Sequence, residues 1–472
     1  MKDRDLTTAA LFPGQGAFDG TALLAAAERH PEVGDVFAEI DAVTAAVAGR
    51  KLSAIVLGTT PATMEGLLAD EPWVSQLAIY GMGVAVHRVL TGAGWRPDVL
   101  AGHSLGEIGA LVCAGAYTVE DGARLIWARV DAIGGLDLRG GYMAALATGA
   151  DRARQLVAFV GDESLAVAAE NHAAQTVVSG SGAAMETVRG VAGAINVSFA
   201  RLAASVPFHC PLLEPAAARF AAAIRAIPQR EPHTPVYSPI YHRFYEPGEN
   251  LGDLLAGHFV APVRFAEAAH ALHAAGARVF VECGALETTG KLILRNLGAD
   301  GITVVAGLPA GARSAEPAVA RLRELGLLDT ARLDTARLDT EPAQPAVPAG
   351  LLPGVDAAAF AAFWAARGRG VLDHIRREFE EYGAAVPAGD LDRELRELYA
   401  DALEYPVEVF TDDVLLEAEL GIDSVKQVEL LTRVSERYGL PARPGSFRLD
   451  EVATMGKVIA YVRSVAHESA GR

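Results

Sequence analysis

Short apolar runs alternate with stretches of helical periodicity along the first two thirds of the chain. Three of these runs, at residues 8–12, 99–102 and 279–282, are mostly apolar and predict buried strands. Helical patterns follow two of them. Because strands that alternate with helices are typical of a mostly parallel sheet, the pattern predicts an α/β domain over residues 1–326.

A different order of elements occupies residues 142–205 within this domain. The pattern there predicts β-α-β-β-α-β, which is the order of a small ferredoxin-like subdomain. The predicted strands cover residues 143–147, 165–170, 176–179 and 196–202, and the predicted helices cover residues 151–159 and 184–191. We expect this subdomain to stand above the carboxyl edge of the sheet and to form one wall of a cleft.

Periodicity is lost at residues 327–354, where the repeated letters LDTAR are followed by closely spaced prolines. Such a Pro/Ala-rich segment is typical of a linker. Residues 355–385 return to a helical pattern, with Trp364 near its apolar face, and predict a linker helix. This helix either packs on a neighbouring domain or serves as a docking spacer.

The last part of the chain, residues 388–468, predicts a separate all-α domain of three or four helices. The predicted helices cover residues 391–403, 424–438 and 455–466, with a short turn near residues 447–452. Gly439 stands where a helix commonly ends.

Charge narrows the choice of partners. The formal net charge is −18, and the segment from Asp390 onward has 17 Asp and Glu against 10 Lys and Arg. Such a balance argues against nucleic acid and against an anionic membrane as partners. The acidic C-terminal segment suits a basic docking face, and an ordinary solvated surface explains the same charge.

Cysteine usage and hydropathy bear on location. Cys113, Cys210 and Cys283 are scattered, so they predict neither a disulfide framework nor a metal site. The charged first residues and the lack of a long apolar run predict neither a signal peptide nor a membrane span. We therefore expect a cytoplasmic protein.

A candidate nucleophile, Ser104, lies in the run Gly102-His103-Ser104-Leu105-Gly106, after a predicted strand and before a predicted helix. This is the context of a nucleophile elbow, in which a tight turn exposes the serine hydroxyl. The following helix presents its N-terminal N–H groups to a carbonyl on which negative charge develops. Gly-x-Ser-x-Gly alone has low specificity, and its placement after a buried strand makes Ser104 a candidate.

A nucleophilic serine needs a base, and His209 follows directly on the predicted subdomain. A lone histidine is usually structural. Here the chain returns from a subdomain that should roof the cleft, so a catalytic role stands beside the structural one.

A resemblance to a known family rests on four motifs that occur in this order along the chain: Leu11-Phe12-Pro13-Gly14-Gln15-Gly16, Gly102-His103-Ser104-Leu105-Gly106-Glu107, Arg129, and Val206-Pro207-Phe208-His209. Over residues 7–310 the chain resembles the malonyl-CoA:acyl-carrier-protein transacylase family. That family includes the acyltransferase domains of polyketide and polyunsaturated-fatty-acid synthases. The resemblance implies an α/β-hydrolase-like core with a ferredoxin-like small subdomain.

The resemblance also implies roles for individual residues. Ser104 would be the nucleophile and His209 its general base and later acid. The backbone N–H groups of Gln15 and Leu105 would form the oxyanion hole. Arg129 would hold the free carboxylate of a malonyl-type substrate through a bidentate pair, which a lysine cannot reproduce.

The specificity position and three departures from the family pattern concern the acyl pocket. Phe208 resembles the malonyl-selective form of its position, where bulk excludes an α-branch. His258 stands where the family usually has Gln or Asn, and it orients His209 either through its backbone carbonyl or through its side chain. The run Glu282-Cys283-Gly284-Ala285 and the motif around Asn171, which we expect to support the site, each lack the family's common proline.

A second serine, Ser424, lies in Leu420-Gly421-Ile422-Asp423-Ser424-Val425, at the front of a predicted helix. Over residues 390–466 the chain resembles acyl carrier proteins, and this resemblance implies 4′-phosphopantetheine on Ser424. Asp423 is suited to cap that helix, whose N-terminus favours the attached phosphate. An ordinary Asp-Ser helix cap is the alternative interpretation of the dipeptide.

Together these interpretations predict an acyltransferase joined to a four-helix acyl carrier domain. It would take a malonyl-type group from malonyl-CoA by a ping-pong mechanism and carry it for polyketide or fatty-acid-like biosynthesis. Expected partners are a phosphopantetheinyl transferase and a separate ketosynthase, and no metal is expected. Two alternatives stay open, namely an editing hydrolase of acyl carriers and a carrier scaffold with an inactive transferase domain.

Overall fold

The computed structural model describes residues 7–204, 206–309 and 314–329 of the N-terminal part. In the C-terminal part it describes residues 388–403, 405, 407–411, 414, 416, 420, 424–437 and 454–470. The predicted linker helix at residues 355–385, Gly439 and the turn near residues 447–452 lie outside these ranges, as does the predicted linker from residue 330 onward. Leu328 forms an antiparallel bridge with Trp95.

A six-stranded sheet forms the centre of the N-terminal part. Its strands are β1 (Thr8–Phe12), β2 (Val99–Gly102), β7 (Val236–Ser238), β8 (Arg243–Phe244), β9 (Val279–Ala285) and β10 (Thr303–Leu308). Their order is β10-β9-β1-β2-β7-β8, and all neighbours are parallel except β7 and β8. All three strands predicted for this sheet are present, and the sheet is mostly parallel as expected.

Helices cover this sheet because their apolar faces pack on its continuously buried strands. They are α1 (Gly20–Arg29), α2 (Pro31–Val47), α3 (Leu52–Val56), α4 (Met64–Ala69), α5 (Pro72–Gly92), α6 (Gly106–Cys113), α7 (Val119–Ile133), α10 (Glu214–Ile224), α11 (Leu251–Gly257), α12 (Phe265–Ala274), α13 (Thr288–Leu297) and α14 (Glu316–Glu324). Helix α5 is buried along most of its length.

The small subdomain has its own four-stranded antiparallel sheet. Its elements are β3 (Tyr142–Leu146), α8 (Ala150–Val160), β4 (Ala166–His172), β5 (Gln175–Gly180), α9 (Gly182–Ala194) and β6 (Phe199–Arg201). The strand order β4-β5-β3-β6 is that of a ferredoxin-like fold. β6 is shorter than the predicted strand because Asn196 adopts a left-handed backbone and the Val197 N–H still bonds to Ala192 at the end of α9.

The C-terminal part is helical, as predicted. Its helices are α15 (Ala388–Leu403), α16 (Ser424–Arg437) and α17 (Met455–Ala470), with a 3-10 turn at Val407–Val409. Leu395, Tyr399 and Phe410 pack with Leu430 and Val458 in a separate buried cluster. Within the described ranges, no helix combines the length and the apolar character needed to cross a membrane.

Candidate active site

The turn from β2 into α6 is tight at both glycines. A Cβ on Gly102 would lie 2.1 Å from the backbone nitrogen of Glu107, and one on Gly106 would lie 2.1 Å from the carbonyl oxygen of Phe12. Between them Ser104 adopts φ 53°, a left-handed backbone that is uncommon outside glycine. The turn is thus a strained strand-to-helix connection with the serine at its apex.

His209 contacts this serine directly. Its Nε2 lies 2.7 Å from Ser104 Oγ, and its Nδ1 lies 2.8 Å from the carbonyl oxygen of Ala261. Because a carbonyl only accepts, Nδ1 carries the proton, and Nε2 is left to accept from the serine hydroxyl. His209 also has a left-handed backbone, with φ 61°, and its N–H donates to Phe259.

The environment keeps this imidazole neutral. Burial is the main cause that lowers the pKa of His209 to about 3, and the nearby charge of Arg129 adds to the effect. At neutral pH the ring is therefore unprotonated and able to take a proton. A hydroxyl and a neutral imidazole in this geometry are the chemical requirement for a serine nucleophile with its general base.

A cavity of about 280 Å³ opens in front of the two side chains. Met143, Val177 and Leu202 of the small subdomain form one wall, and Thr288 and Leu292 of α13 form another. The cavity therefore lies between the carboxyl edge of the central sheet and the small subdomain, where the cleft was expected.

Gln15 and Leu105, the two predicted oxyanion donors, flank Ser104. Gln15 lines the cavity on the loop after β1, between two glycines. Gly16 has φ 96°, and a Cβ on Gly14 would lie 2.7 Å from the carbonyl oxygen of His103. Leu105 directly precedes α6, so its N–H belongs to the positive end of that helix.

Arg129 on α7 is buried beside this cavity. Its guanidinium carbon lies 4.1 Å from the centre of the Phe208 ring, and its Nη1 donates to Gln76 Oε1 at 2.5 Å. Burial lowers the pKa of Arg129 to about 9, so the group is still charged at neutral pH. None of the described carboxylates forms an ion pair with it, and a buried cation of this kind is suited to an anionic ligand.

Phe208 lies against the Arg129 guanidinium and also lines the cavity. Its ring is buried and lies next to His209 along the chain. A side chain in this place limits the width of whatever lies between Ser104 and the guanidinium.

His258 does not contact His209 through its side chain. Its Nε2 lies 3.4 Å from the Tyr245 hydroxyl and 3.7 Å from Glu107 Oε1. Burial lowers the pKa of His258 well below its usual value, so this contact is between neutral groups. The sequence left open whether the carbonyl or the side chain of His258 orients His209. The side chain does not contact His209, and the carbonyl that accepts from His209 Nδ1 at 2.8 Å is that of Ala261.

Asn171 joins the elbow to the small subdomain. Its Oδ1 accepts from His103 Nε2 at 2.9 Å, and its Nδ2 donates to Gln175 Oε1 at 2.9 Å. The Asn296 amide in turn donates to the backbone oxygen of Asn171. This residue therefore positions the turn rather than facing the reacting atoms.

Glu282 holds the start of α13. Its carboxylate accepts from the N–H groups of Thr288 and Gly290 and from the Thr289 hydroxyl, at 3.1, 2.9 and 2.7 Å. Glu287 stands at the N-cap with no side-chain bond of its own. Because Thr288 and Thr289 line the cavity, this cap shapes one of its walls.

Sequence reasoning missed three features of the site, namely Gln76, Tyr245 and the role of Glu282 as a helix cap. Gln76 is the one that left a signal, because it is an amide within the mostly apolar first half of its helix.

Ser424 is the first residue of α16, a helix of 14 residues. A phosphate attached there would meet the positive end of a long helix, so the position fits a phosphopantetheine. Asp423, the predicted cap, lies outside the described residues. The three cysteines are free, and the described residues contain no cluster of three or more His, Cys, Asp or Glu side chains that could hold a metal.

Two protein families match the chain. The family described as acyl transferase domain matches residues 11–301, and the family described as phosphopantetheine attachment site matches residues 393–462.

Individual relatives agree with these matches. The chain is 29% identical to the malonyl CoA-acyl carrier protein transacylase of Escherichia coli K12 over 58% of this chain and 87% of that protein. It is 32% identical to a phenolphthiocerol synthesis polyketide synthase of Mycobacterium marinum over 59% of this chain, and 29% identical to a polyketide synthase of Streptomyces halstedii over 62%. It spans only 13% and 4% of the lengths of these two synthases.

Solved structures show the same architecture. The malonyl-CoA:acyl carrier protein transacylase of Xanthomonas oryzae aligns over 69% of this chain and 100% of that one, with a TM-score of 0.61 and 29% identity. The acyltransferase domain from the second module of the salinomycin polyketide synthase aligns over 72% and 79%, with a TM-score of 0.61 and 26% identity.

Proposed function

The chain belongs to the acyl transferase domain family and also carries a phosphopantetheine attachment domain, and on this basis we propose that it loads a malonyl-type group onto its own carrier. The observation that carries the proposal is the hydrogen-bonded pair of Ser104 and His209 beside the buried Arg129. The pair supplies a nucleophile and a base, and the guanidinium selects an acyl group that ends in a carboxylate.

In the first half-reaction Ser104 Oγ attacks the thioester carbonyl of malonyl-CoA while His209 Nε2 takes the hydroxyl proton. The C–S bond then breaks, and His209 returns the proton to the departing CoA thiolate. The product is an oxyester on Ser104. The negative charge of the tetrahedral intermediate would raise the low pKa of His209 while the proton is held there.

The backbone N–H groups of Gln15 and Leu105 would stabilise that intermediate. Loss of one such donor typically costs about 10²- to 10³-fold in rate. Arg129 would bind the free carboxylate in the bidentate manner open to a guanidinium, with Gln76 fixing its orientation. The Phe208 ring would crowd out α-branched acyl groups, a discrimination worth about 1–3 kcal/mol per methyl group.

The second half-reaction transfers the acyl group from Ser104 to a thiol. Ser424 would hold the phosphopantetheine that supplies this thiol. His209 again acts as base towards the incoming thiol and then protonates Ser104 Oγ as the oxyester breaks. The mechanism is therefore ping-pong, with Ser104 acylated between the two substrates. We further propose a phosphopantetheinyl transferase and a separate ketosynthase as the partners that modify and consume the carrier.

Mass spectrometry of the pantetheinylated chain after addition of malonyl-CoA tests this function. We expect malonyl on the carrier region, which is the C-terminal helical part at residues 388–468. One CoA should be released for each malonyl group transferred. Rapid release of free malonate would instead identify an editing hydrolase, and the absence of any acyl label would identify an inactive scaffold.

Three variants test the assigned roles in the same assay. Ser104→Ala should abolish carrier loading, whereas Ser424→Ala, its matched control, should still release CoA and acylate Ser104. Arg129→Ala should shift preference from malonyl-CoA towards acetyl-CoA. Carrier loading by Ser104→Ala at the normal rate would contradict the mechanism.

A further inference from the structure

Three contacts join helix α15 and its neighbours to the acyltransferase part of the chain. Arg393 Nη1 lies 3.1 Å from Asp19 Oδ2, and Asp401 Oδ1 lies 3.4 Å from Lys291 Nζ. Asp401 takes part in this second contact through its backbone as well, because its carbonyl oxygen accepts from the Arg295 guanidinium at 2.9 Å. The third contact is apolar.

In this apolar contact, Ala200 of β6 is buried within the hydrophobic cluster of the carrier region, although it belongs to the small subdomain. The carrier region therefore contacts both the large and the small subdomain, on either side of the cleft.

Each contact involves a residue that lies within three positions, along the chain, of a residue that lines the cavity in front of Ser104. Asp19 follows the cavity residue Gly16 by three positions, and Lys291 directly precedes the cavity residue Leu292. Ala200 precedes the cavity residue Leu202 by two positions. The carrier region therefore stands on the rim of the cavity, in contact with three of the segments that form it.

A second cavity, of about 860 Å³, lies between the carrier region and β6. Its walls include Val409 and Leu420 on the carrier side and Leu202 and Ala203 on the other side. Leu202 and Ala203 also line the first cavity, so the two spaces adjoin. A space of this size is within the usual range of about 300–1,000 Å³ for small-molecule sites.

The attachment residue is close to this second cavity along the chain. Leu420 is four residues before Ser424, and four extended residues span at most about 14 Å. Arg201 and Arg189 also line the space, together with Glu186, which forms an ion pair with Arg189. Arg201 is therefore the guanidinium better placed to meet a phosphate. The space therefore combines the right position with the right charge for a phosphate-bearing arm that leads towards Ser104.

We propose that the carrier region docks through α15 on the rim of its own acyltransferase cavity, with the Lys291–Asp401 and Asp19–Arg393 pairs as the contacts that place it. This inference rests on the proposed function, because it concerns how the carrier reaches the acylated serine. Transfer then takes place within one chain, and the second cavity is the path of the arm.

Weak contacts are sufficient for such an arrangement. Exposed ion pairs contribute little individually, and Asp401 and Lys291 are both partly exposed. A tethered partner, however, is present at an effective concentration on the order of millimolar. Repulsion introduced at the contact should therefore have more effect than simple removal of one charge.

Charge exchange at one pair tests the docking surface. Lys291→Asp and Asp401→Lys should each slow carrier loading by roughly fivefold to tenfold, and the double variant should restore the rate to within about twofold. The release of CoA in the first half-reaction should be unchanged in all three. Lys51→Asp and Glu163→Lys, which make equal charge changes at exposed positions without a carrier contact, should load normally.

Asp19 is unsuitable for this exchange because its other oxygen caps α1 through the Ala22 N–H. Arg393→Asp tests that pair from the carrier side instead and should slow loading by a similar factor.

Carbodiimide coupling gives a readout that needs no acyl transfer. In the full chain without phosphopantetheine, a zero-length bond should form between Lys291 and Asp401 within a single molecule, and Asp401→Asn should remove it. A mixture of Ser104→Ala and Ser424→Ala chains at micromolar concentration should load at least about tenfold more slowly than the unmodified chain.

The outcomes separate this inference from the proposed function. Unchanged loading in the single charge variants, a double variant slower than both, a cross-link found only between two chains, or rapid loading in the mixture would each overturn the docking surface. If the unmodified chain releases no CoA and gains no acyl group, the proposed function itself fails.

Discussion

Two glutamates near the candidate site are equally buried but held in different ways. Glu107 lies at the start of α6, and Glu282 lies on β9, directed at the start of α13, and both are 0% exposed. Burial raises the pKa of both, to about 8 for Glu107 and to about 6 for Glu282. At pH 7 the first is therefore mostly protonated and the second mostly ionised.

The difference lies in the donors that each carboxyl meets. Glu282 accepts from backbone N–H groups at a helix start and from a threonine hydroxyl, which together favour its charged form. The carboxyl of Glu107 faces the hydroxyls of Tyr245 and Ser238 instead. These counter the effect of burial on its pKa less than the donors to Glu282 do. Both glutamates lie near a helix start, so the difference is that backbone N–H groups bond directly to Glu282, whereas Glu107 faces two hydroxyl groups.

The largest expected effect is from Glu282→Ala. This change leaves buried N–H donors at the start of α13 without an acceptor, and we expect a loss of about 3–4 kcal/mol in the free energy of unfolding. Urea denaturation at pH 7 measures it. Glu282→Gln keeps one acceptor oxygen and should lose less; an equal loss in both variants would show that the cap is not the cause.

The next effect is a pH dependence due to Glu107. Between about pH 4.5 and pH 8 the folded chain keeps a proton on Glu107 that the unfolded chain has released, so stability falls as the pH rises. Glu107→Gln should remove roughly 2–3 kcal/mol of this decline between pH 5 and pH 8. Urea denaturation across that range measures it.

Glu282→Gln is the matched control for this slope. The raised pKa of Glu282 is about 6, so the decline in stability that this residue causes should be complete within about one pH unit above that value. If the two Gln variants change the slope over the same pH range, the two carboxyls do not differ as described.

A smaller effect is expected from Tyr245→Phe. The change removes the hydroxyl that lies 2.6 Å from Glu107 Oε1 and should lower stability by about 1–2 kcal/mol. In a Glu107→Gln background the same change should have a different cost, because the two side chains are in contact. Strict additivity in a double-mutant cycle would argue against their coupling.

The smallest effect is expected from Thr289→Val. It removes one of three donors to Glu282 while it keeps the shape of the side chain, and about 1 kcal/mol should be lost. The pKa of Glu282 should rise with it, which moves the end of its stability decline to higher pH. A stability profile with the same pH range as the unmodified chain would contradict this role of the hydroxyl.

The sequence was informative wherever a local pattern decided the structure. The strands β1, β2 and β9 are buried on both faces, so their sequences are mostly apolar, and this pattern predicted the strands. The order of elements was sufficient for the ferredoxin-like subdomain. β7 and β8, with three and two residues, are too short to show a period, and they were not predicted.

Side-chain partners were predictable only within motifs. Ser104 lies in a recognisable turn, but its contact with His209 joins residues 105 apart. The place of His209 after the subdomain made it a candidate base, and the resemblance to a family assigned it that role. Arg129 and Gln76 are 53 residues apart, and Glu107 and Tyr245 are 138 apart. Contacts of this kind depend on how distant helices pack, and hydropathy along the chain carries no information about that.

The backbone beneath the reacting pair has a consequence for the durability of the enzyme. Ser104 and His209 both adopt the left-handed conformation, which costs an L-residue on the order of 1–2 kcal/mol and a glycine almost nothing. The rest of the fold holds both residues in this disfavoured state. A chain with glycine in place of the serine would consequently be inert yet harder to unfold, so the working enzyme is less robust than its inactive counterpart.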